Sequence, residues 1–221
     1  MKFILLPALL FALSAVACRA QEVGAPLEIT TEKTLPKAIL ATTYETRLVA
    51  TGGLPPRNWE IVAGKLPPGL NLDPVTGTIS GTATAMGEFR FAVEVSDSDD
   101  PPETRSREFA LRVISALTLE WKRPPTVTPD GLAGAIKLAN QTRNDVDLTM
   151  IVVAVNEIGK AFVLGYQHFT FPAQTTMQEI AFGSGLPRGT YLVHADVIAE
   201  VAGKNSIYRA RLQTADPLAT H

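Results

Sequence analysis

Cysteine is nearly missing from this chain: Cys18 is the single one in 221 residues, and it falls just after the first apolar run. The rest of the sequence holds no pair of thiols, so no intrachain disulfide staples it and its cores have to hold by packing alone. Histidine is scarce as well. His168, His194 and His221 show no metal-ligating spacing such as a pair four apart on a helix. Charged residues are 19% of the chain and nearly balanced, 20 basic against 22 acidic, with no like-charge run longer than the short "DSDD" of Asp97 to Asp100. Such a pattern recruits no nucleic-acid backbone. A hydrophobic fraction of 46% excludes wholesale disorder.

The opening segment, "MKFILLPALLFALSAVACRAQ", places Lys2 before an apolar run from Phe3 to Val16 and then small residues. That is the layout of a secretory signal, and the run is short for a bilayer span, which needs roughly 20 apolar residues. Two cleavage sites compete. One follows Ala15-Val16-Ala17 and leaves Cys18 first, which resembles a bacterial lipobox with Ala15 where Leu is usual; the other follows Ala20 and discards Cys18. In the first case Cys18 carries a lipid anchor, and in the second the exported chain has no cysteine. Loss of Lys2 and Arg19 makes the exported chain mildly more acidic.

Beyond the leader the punctuation is dense, with 16 Gly and 16 Pro. Short strands are expected around Leu27 to Thr31, from Tyr44 to Thr51 and around Asn58 to Val62. In "KLPPGLNLDPVTGTISGTA", Pro67-Pro68-Gly69 and Asp73-Pro74 to Gly77 form tight turns that pin two very short strands and direct Leu70 and Leu72 inward. "EFRFAVEVS" alternates, with Phe89, Phe91, Val93 and Val95 on one face and Glu88, Arg90, Ala92 and Glu94 on the other. "EFALRV" buries Phe109, Leu111 and Val113. The two pair as an antiparallel hairpin. Seven such segments without helical periodicity predict an immunoglobulin-like sandwich, with Trp59 in its core.

The stretch from Pro26 to Asp97 carries a family resemblance. Tyr44, Gly52-Gly53, Pro56, Trp59, "LPPGLNLDPVTGTISGTAT", then Gly87 and Phe89 leading to Asp97, resemble the bacterial domains of the Putative Ig family, relatives of cadherin-like modules. The resemblance implies the sandwich fold over 27–114 and is nearly silent on activity. From Ala116 the pattern changes and "LPPGL" does not recur. "LTLEWK", "AGAIKLAN", "VDLTMIVVAVN", "AFVLGYQHF", "MQEIAF", "TYLVHADVIAEV" and "SIYRARLQT" read as seven β segments, the last two pairing across Gly203. Tyr191 after "LPRG" suits either a tyrosine corner or plain core burial. The expected architecture is all-β: signal segment 1–20, an Ig-like domain over 27–114, a second Ig-like sandwich over 116–215, and a frayed tail over 216–221.

Candidate sites are few. Asp97, Asp99, Asp100 and Glu103 cluster in "SDSDDPPE", and clustered carboxylates supply the hard oxygens calcium takes; cadherin-like relatives use acidic loops of this kind. An EF-hand loop is excluded by Pro101 and Pro102, and a solvated hairpin tip is the alternative. "GSGLPRG" from Gly183 lacks the ending of a phosphate loop, and Ser184 lacks a nucleophile-elbow frame, so a hairpin turn is expected there. "NQT" at Asn140 is formally a glycosylation triplet. Trp121, Tyr166 and Tyr208 are candidates for stacking on sugars, Trp121 standing on buried parity. These features predict a non-catalytic protein, secreted or held at a membrane only through Cys18, whose Ig-like modules serve adhesion, scaffolding or protein binding. A carbohydrate-binding accessory is the alternative, and an enzyme would need a cleft pairing His168 or His194 with an acid. The expected partner is an unidentified protein or a cell-surface glycan, and not nucleic acid.

Overall fold

A computed structural model describes residues 25–175 and 178–220; the expectations for the signal segment, Cys18 and His221 fall outside them. Among the described residues every regular element is a β-strand. They gather around two apolar cores, one running from Leu27 to Val113 and the other from Ala116 to Val201.

In the first core β1 (Glu28–Ile29), β2 (Ala38–Ile39), β3 (Thr43–Arg47), β4 (Ala50–Thr51) and β5 (Asn58–Gly64) precede β6 (Leu70–Leu72), β7 (Thr78–Thr82), β8 (Gly87–Ser96) and β9 (Thr104–Ile114). One sheet has the order β2-β9-β8-β5 and the facing one β3-β7-β6, with β1 paired to β4. The alternation in β8 and β9 places Phe91, Val93, Val95, Phe109, Leu111 and Val113 inward, each at most 3% exposed, against Trp59, Leu48 and Ile79. The two strands pair antiparallel, Ser96 opposite Thr104, as the alternation requires. Tyr44 is buried in the same core, and its hydroxyl donates to Pro36 O at 3.0 Å.

The proline and glycine corners explain the two shortest strands. Asp73 Oδ1 accepts from Val75 N at 2.9 Å and Thr76 N at 2.8 Å, closing an Asx turn that leads into Gly77 at φ 68°. A Cβ at Gly77 would lie 2.8 Å from the Trp59 indole, so the turn packs on Trp59 only because the side chain is absent. Gly81 lies so close to the Gly69 carbonyl that the two backbones would clash across any Cβ. Leu70 is buried and Leu72 packs half-buried against the core.

The second core takes β10 (Leu117–Thr128), β11 (Gly131–Asn140), β12 (Val146–Asn156), β13 (Ala161–Phe171), β14 (Gln178–Gly185), β15 (Gly189–Glu200), β16 (Ile207–Gln213) and β17 (Leu218–Thr220). The sheets are β10-β11-β14 and β13-β12-β15-β16, with β17 paired to the start of β15. From β10 to β16, the first, second and fifth strands thus face the third, fourth, sixth and seventh. This is an immunoglobulin-like sandwich whose fourth strand joins the sheet opposite the one it takes in constant-type domains. Ile136, Leu138, Leu148, Met150, Val152, Val193 and Val197 are each at most 1% exposed. Each large aliphatic side chain buried this way stabilises by about 1.5–3 kcal/mol. Tyr191, 2% exposed at the start of the sixth strand, donates its hydroxyl to Pro187 O at 2.9 Å, so core burial and the tyrosine corner are the same fact.

Several expectations change. The strand expected from Tyr44 to Thr51 breaks at Leu48 and Val49, where Leu48 N donates to Gly77 O at 2.8 Å instead of to a strand neighbour. The two-residue β2, parallel to β9 with Ala38 opposite Val113, was not expected at all, since two residues carry no periodicity. The end of the chain is not frayed through its last strand: Thr220 is 8% exposed and its hydroxyl donates to Pro187 O at 2.8 Å while accepting from Gly189 N at 3.1 Å. The segment after Ser184 is no hairpin. β14 pairs with β11 and β15 with β12, so the chain crosses between sheets there. Trp121 is partly buried, packed against Phe182 with ring centroids 5.9 Å apart.

Gly77→Ala is expected to destabilise the first sandwich by about 2 kcal/mol, from the positive φ and the collision with Trp59. The check is urea unfolding followed by Trp fluorescence. Tyr191→Phe, which removes only the corner hydrogen bond, should cost the second sandwich about 1 kcal/mol in the same measurement.

Candidate functional site

The acidic loop between β8 and β9 is where the sequence placed its sharpest site. Asp97 is 8% exposed, and its carboxylate caps the loop: Oδ2 accepts from Leu54 N at 2.9 Å, and Oδ1 accepts from Glu103 N at 2.7 Å and Asp99 N at 3.2 Å. Gly53 makes room for it, because a Cβ there would lie 2.8 Å from Oδ2. These donors, Leu54 N first, hold the Asp97 carboxyl below the usual carboxylate range against the opposing effect of burial. Glu103 is occupied too. Its Oε2 accepts from Leu27 N at 3.0 Å, and its Oε1 lies 2.6 Å from Arg105 Nη2.

The expected calcium set therefore does not assemble in this geometry. Asp97 and Glu103 spend their oxygens on backbone amides and Arg105, while Asp99 Oδ1 accepts from Asp100 N at 2.9 Å. Among the described residues no group of three His, Cys, Asp or Glu side chains converges to hold a metal ion. The loop's chemistry is that of a lock between Leu54 and the two strands.

The histidine expectation fares differently. His168 does have an acid beside it: Nε2 lies 3.3 Å from Asp147 Oδ1, and Nδ1 lies 2.9 Å from Thr149 Oγ1. Both His168 and Asp147 are about half exposed on the open outer face of the β13-β12-β15-β16 sheet, where water reaches them freely. His194 lies on the same face, opposite Val153 and Gln213. Tyr166 is exposed on this face as well, opposite Ile151, whereas Tyr208 packs half-buried at the edge of the second core.

Asn140 is not available for glycosylation. It is 1% exposed; its Nδ2 donates to Asn144 O, Phe171 O and Pro172 O, and its Oδ1 accepts from Thr142 N at 2.9 Å and Thr142 Oγ1 at 2.7 Å. The side chain ties two loops of the second sandwich at the end that faces the first.

At that end lies the feature the sequence did not reveal. A groove of about 760 Å³ separates the two sandwiches, with Lys37, Glu45 and Tyr44 on one wall and Arg143, Asn144, Lys204 and Tyr208 on the other. Burial pushes the Tyr44 phenol up to about 12, against smaller lowering effects of Thr46 and of Arg143 across the groove. A second groove, about 640 Å³, runs over the outer face of β9, β8 and β5 and shares Lys37 with the first. These residues sit on separate turns and edges, and no spacing in the sequence links them.

Residues 20–114 match the family model "Putative Ig domain". The remainder of the chain lies outside that match, and no curated protein matches the chain. Solved structures to which the chain is similar include a putative alpha-galactosidase from Bacteroides fragilis, 23% identical with a TM-score of 0.35, aligned over 40% of this chain and 17% of that one. Mouse Cadherin-23 EC22-24 is 15% identical with a TM-score of 0.36, aligned over 89% of this chain and 67% of that one. Dimeric latent PorU from Porphyromonas gingivalis is 12% identical with a TM-score of 0.33, over 89% of this chain and 20% of that one. The chain thus spans only a small part of the length of the first and last of these.

The acidic loop of the first sandwich, within the residues that match the Putative Ig domain model, makes stability depend on pH. The folded pKa of Asp97 lies below its unfolded value of about 3.9, so the stabilisation is complete above that pH and is lost as pH falls through the folded pKa. Asp97→Asn should lower the melting temperature at pH 7 by roughly 5 °C and flatten its decline below about pH 4. Calcium is expected to leave the midpoint of both proteins unchanged, as read by scanning calorimetry with and without chelator.

Proposed function

We propose that this is an exported, non-catalytic envelope protein, secreted or anchored through Cys18, that works by surface recognition in adhesion or scaffolding. The observation that carries the reading is the open groove where the two sandwiches meet. Ligand sites favour domain junctions, and this one presents cations, amides and a tyrosine ring to solvent rather than an enclosed acid-base pair. The exposed setting of His168 and Asp147 on an outer sheet face supports the same reading, because catalysis by such a pair needs a positioned substrate in a shaped site. A carbohydrate-binding accessory role is the second reading, and the polar lining of the groove favours it.

Export and anchoring are tested together by labelling cells with an acyl-chain probe while fractionating the envelope. Wild type should carry label and sediment with membranes, and Cys18→Ser should lose the label and appear in the soluble exported fraction. Wild type found only in the cytoplasm would overturn the reading; an exported but unlabelled wild type would retire the anchor alone.

A further inference from the structure

We infer that the two grooves form one basic trough that binds a linear anionic polysaccharide. This rests on the recognition reading above and supplies its ligand class.

The first sandwich provides the trough's floor and one rim. Ala63 stands opposite Ala92 across β5 and β8, and Ala110 follows on β9, so small side chains leave a dip in an otherwise charged sheet face. Lys33, Lys37, Arg90 and Arg112 surround the dip. Lys37 then belongs equally to the groove between the sandwiches, where Arg143 and Lys204 approach from the second. Six cations thus follow one path, against three carboxylates: Glu45, Glu88 and Glu108. Glu88 is already paired with Arg90 at 2.6 Å. The path has an excess of three positive charges on a chain whose formal charge is −2, so acid and base are sorted in space although they balance in composition.

The uncharged lining narrows the ligand class. Gln141, Asn144 and Gln174 bring amides, which donate and accept and so match sugar hydroxyls, and Tyr208 offers a ring for a sugar face. One ring makes no stacking platform of the kind a single-stranded nucleic acid uses. Among the described residues no hydrogen bond joins the first sandwich's wall of the groove to the second's; Lys204 Nζ donates to Asn144 Oδ1, at 3.0 Å, within its own sandwich. Polar groups on the two walls bond within their own sandwich, as Tyr44 does to Pro36 O and Gln141 to Thr118 Oγ1, or face the open gap, and a chain lying along it would bond to both walls. Carboxylate or sulfate groups repeated along a sugar chain complement cations spread over two modules better than one compact anion does.

The test uses the full exported chain with polygalacturonate as a carboxylated glycan, heparin as a sulfated one, dextran as a neutral one, and poly-glutamate and single-stranded DNA as anions that are not glycans. Affinity is read by biolayer interferometry at about 50 and about 500 mM NaCl. The expected result is binding to at least one anionic glycan, tighter than to dextran, poly-glutamate or DNA, and weakened about tenfold or more by the salt. The Arg112→Glu/Arg143→Glu double variant should lose at least about tenfold, while Arg209→Glu, a reversal on β16, stays within about twofold; all are surface changes, and unaltered melting curves confirm folding. Equal binding of dextran, preference for poly-glutamate or DNA, equal loss on Arg209→Glu, or no binding to either anionic glycan at low salt would each overturn the proposal. An envelope protein that binds no glycan defeats this inference alone, whereas glycan binding by a protein that is never exported defeats the location reading alone.

Discussion

Two sheets packed face to face without a covalent link hold together only if the chain's corners are held, because the apolar faces give no direction and would tolerate sliding. Four corners each have one polar side chain that satisfies backbone groups where the chain leaves a sheet. Tyr44 bonds to Pro36 O, Tyr191 to Pro187 O, Asp97 gathers the amides of Leu54, Asp99 and Glu103, and Asn140 gathers three carbonyls at and beyond the ends of β11 and β13. All four are buried. They do the positional work that a disulfide does in many small secreted domains of other proteins.

That economy shapes the surface. Carboxylates that look free in the sequence are drawn inward as locks, so the acidic loop offers little to a cation. Some cations are drawn in as well, Arg57 onto Ala50 O and Gly52 O and Arg107 onto Thr31 O, whereas those that line the two grooves remain displayed. The result is a chain that is acidic in sum and basic along one trough. The groove belongs to neither sandwich, and its electrostatics come from loops of both.

Alternation made β8, β9, β12 and β15 readable, because a half-buried strand must repeat every second residue and each of these is long enough to show it. The corners of "LPPGLNLDPVTGTISGTA" were equally readable from Pro and Gly, whose backbone limits are local. The short β2 and β17 were not: β2 exists because β9 offers it a parallel edge, and β17 because the start of β15 does. The link after Ser184 likewise reads as a hairpin from its glycines and proline alone. Only the pairing of β14 with β11 shows that the chain is changing sheets.

The sequence by itself determined the all-β class, the turns and most core positions, since period, proline and glycine act over a few bonds. Which carboxylates are locks, where Asn140 points, and that Lys37, Arg143 and Lys204 share a groove were decided by the tertiary structure alone. Those facts depend on distances between residues far apart in the chain, and only the packing of the sheets, with the angle at which one sandwich meets the next, sets such distances.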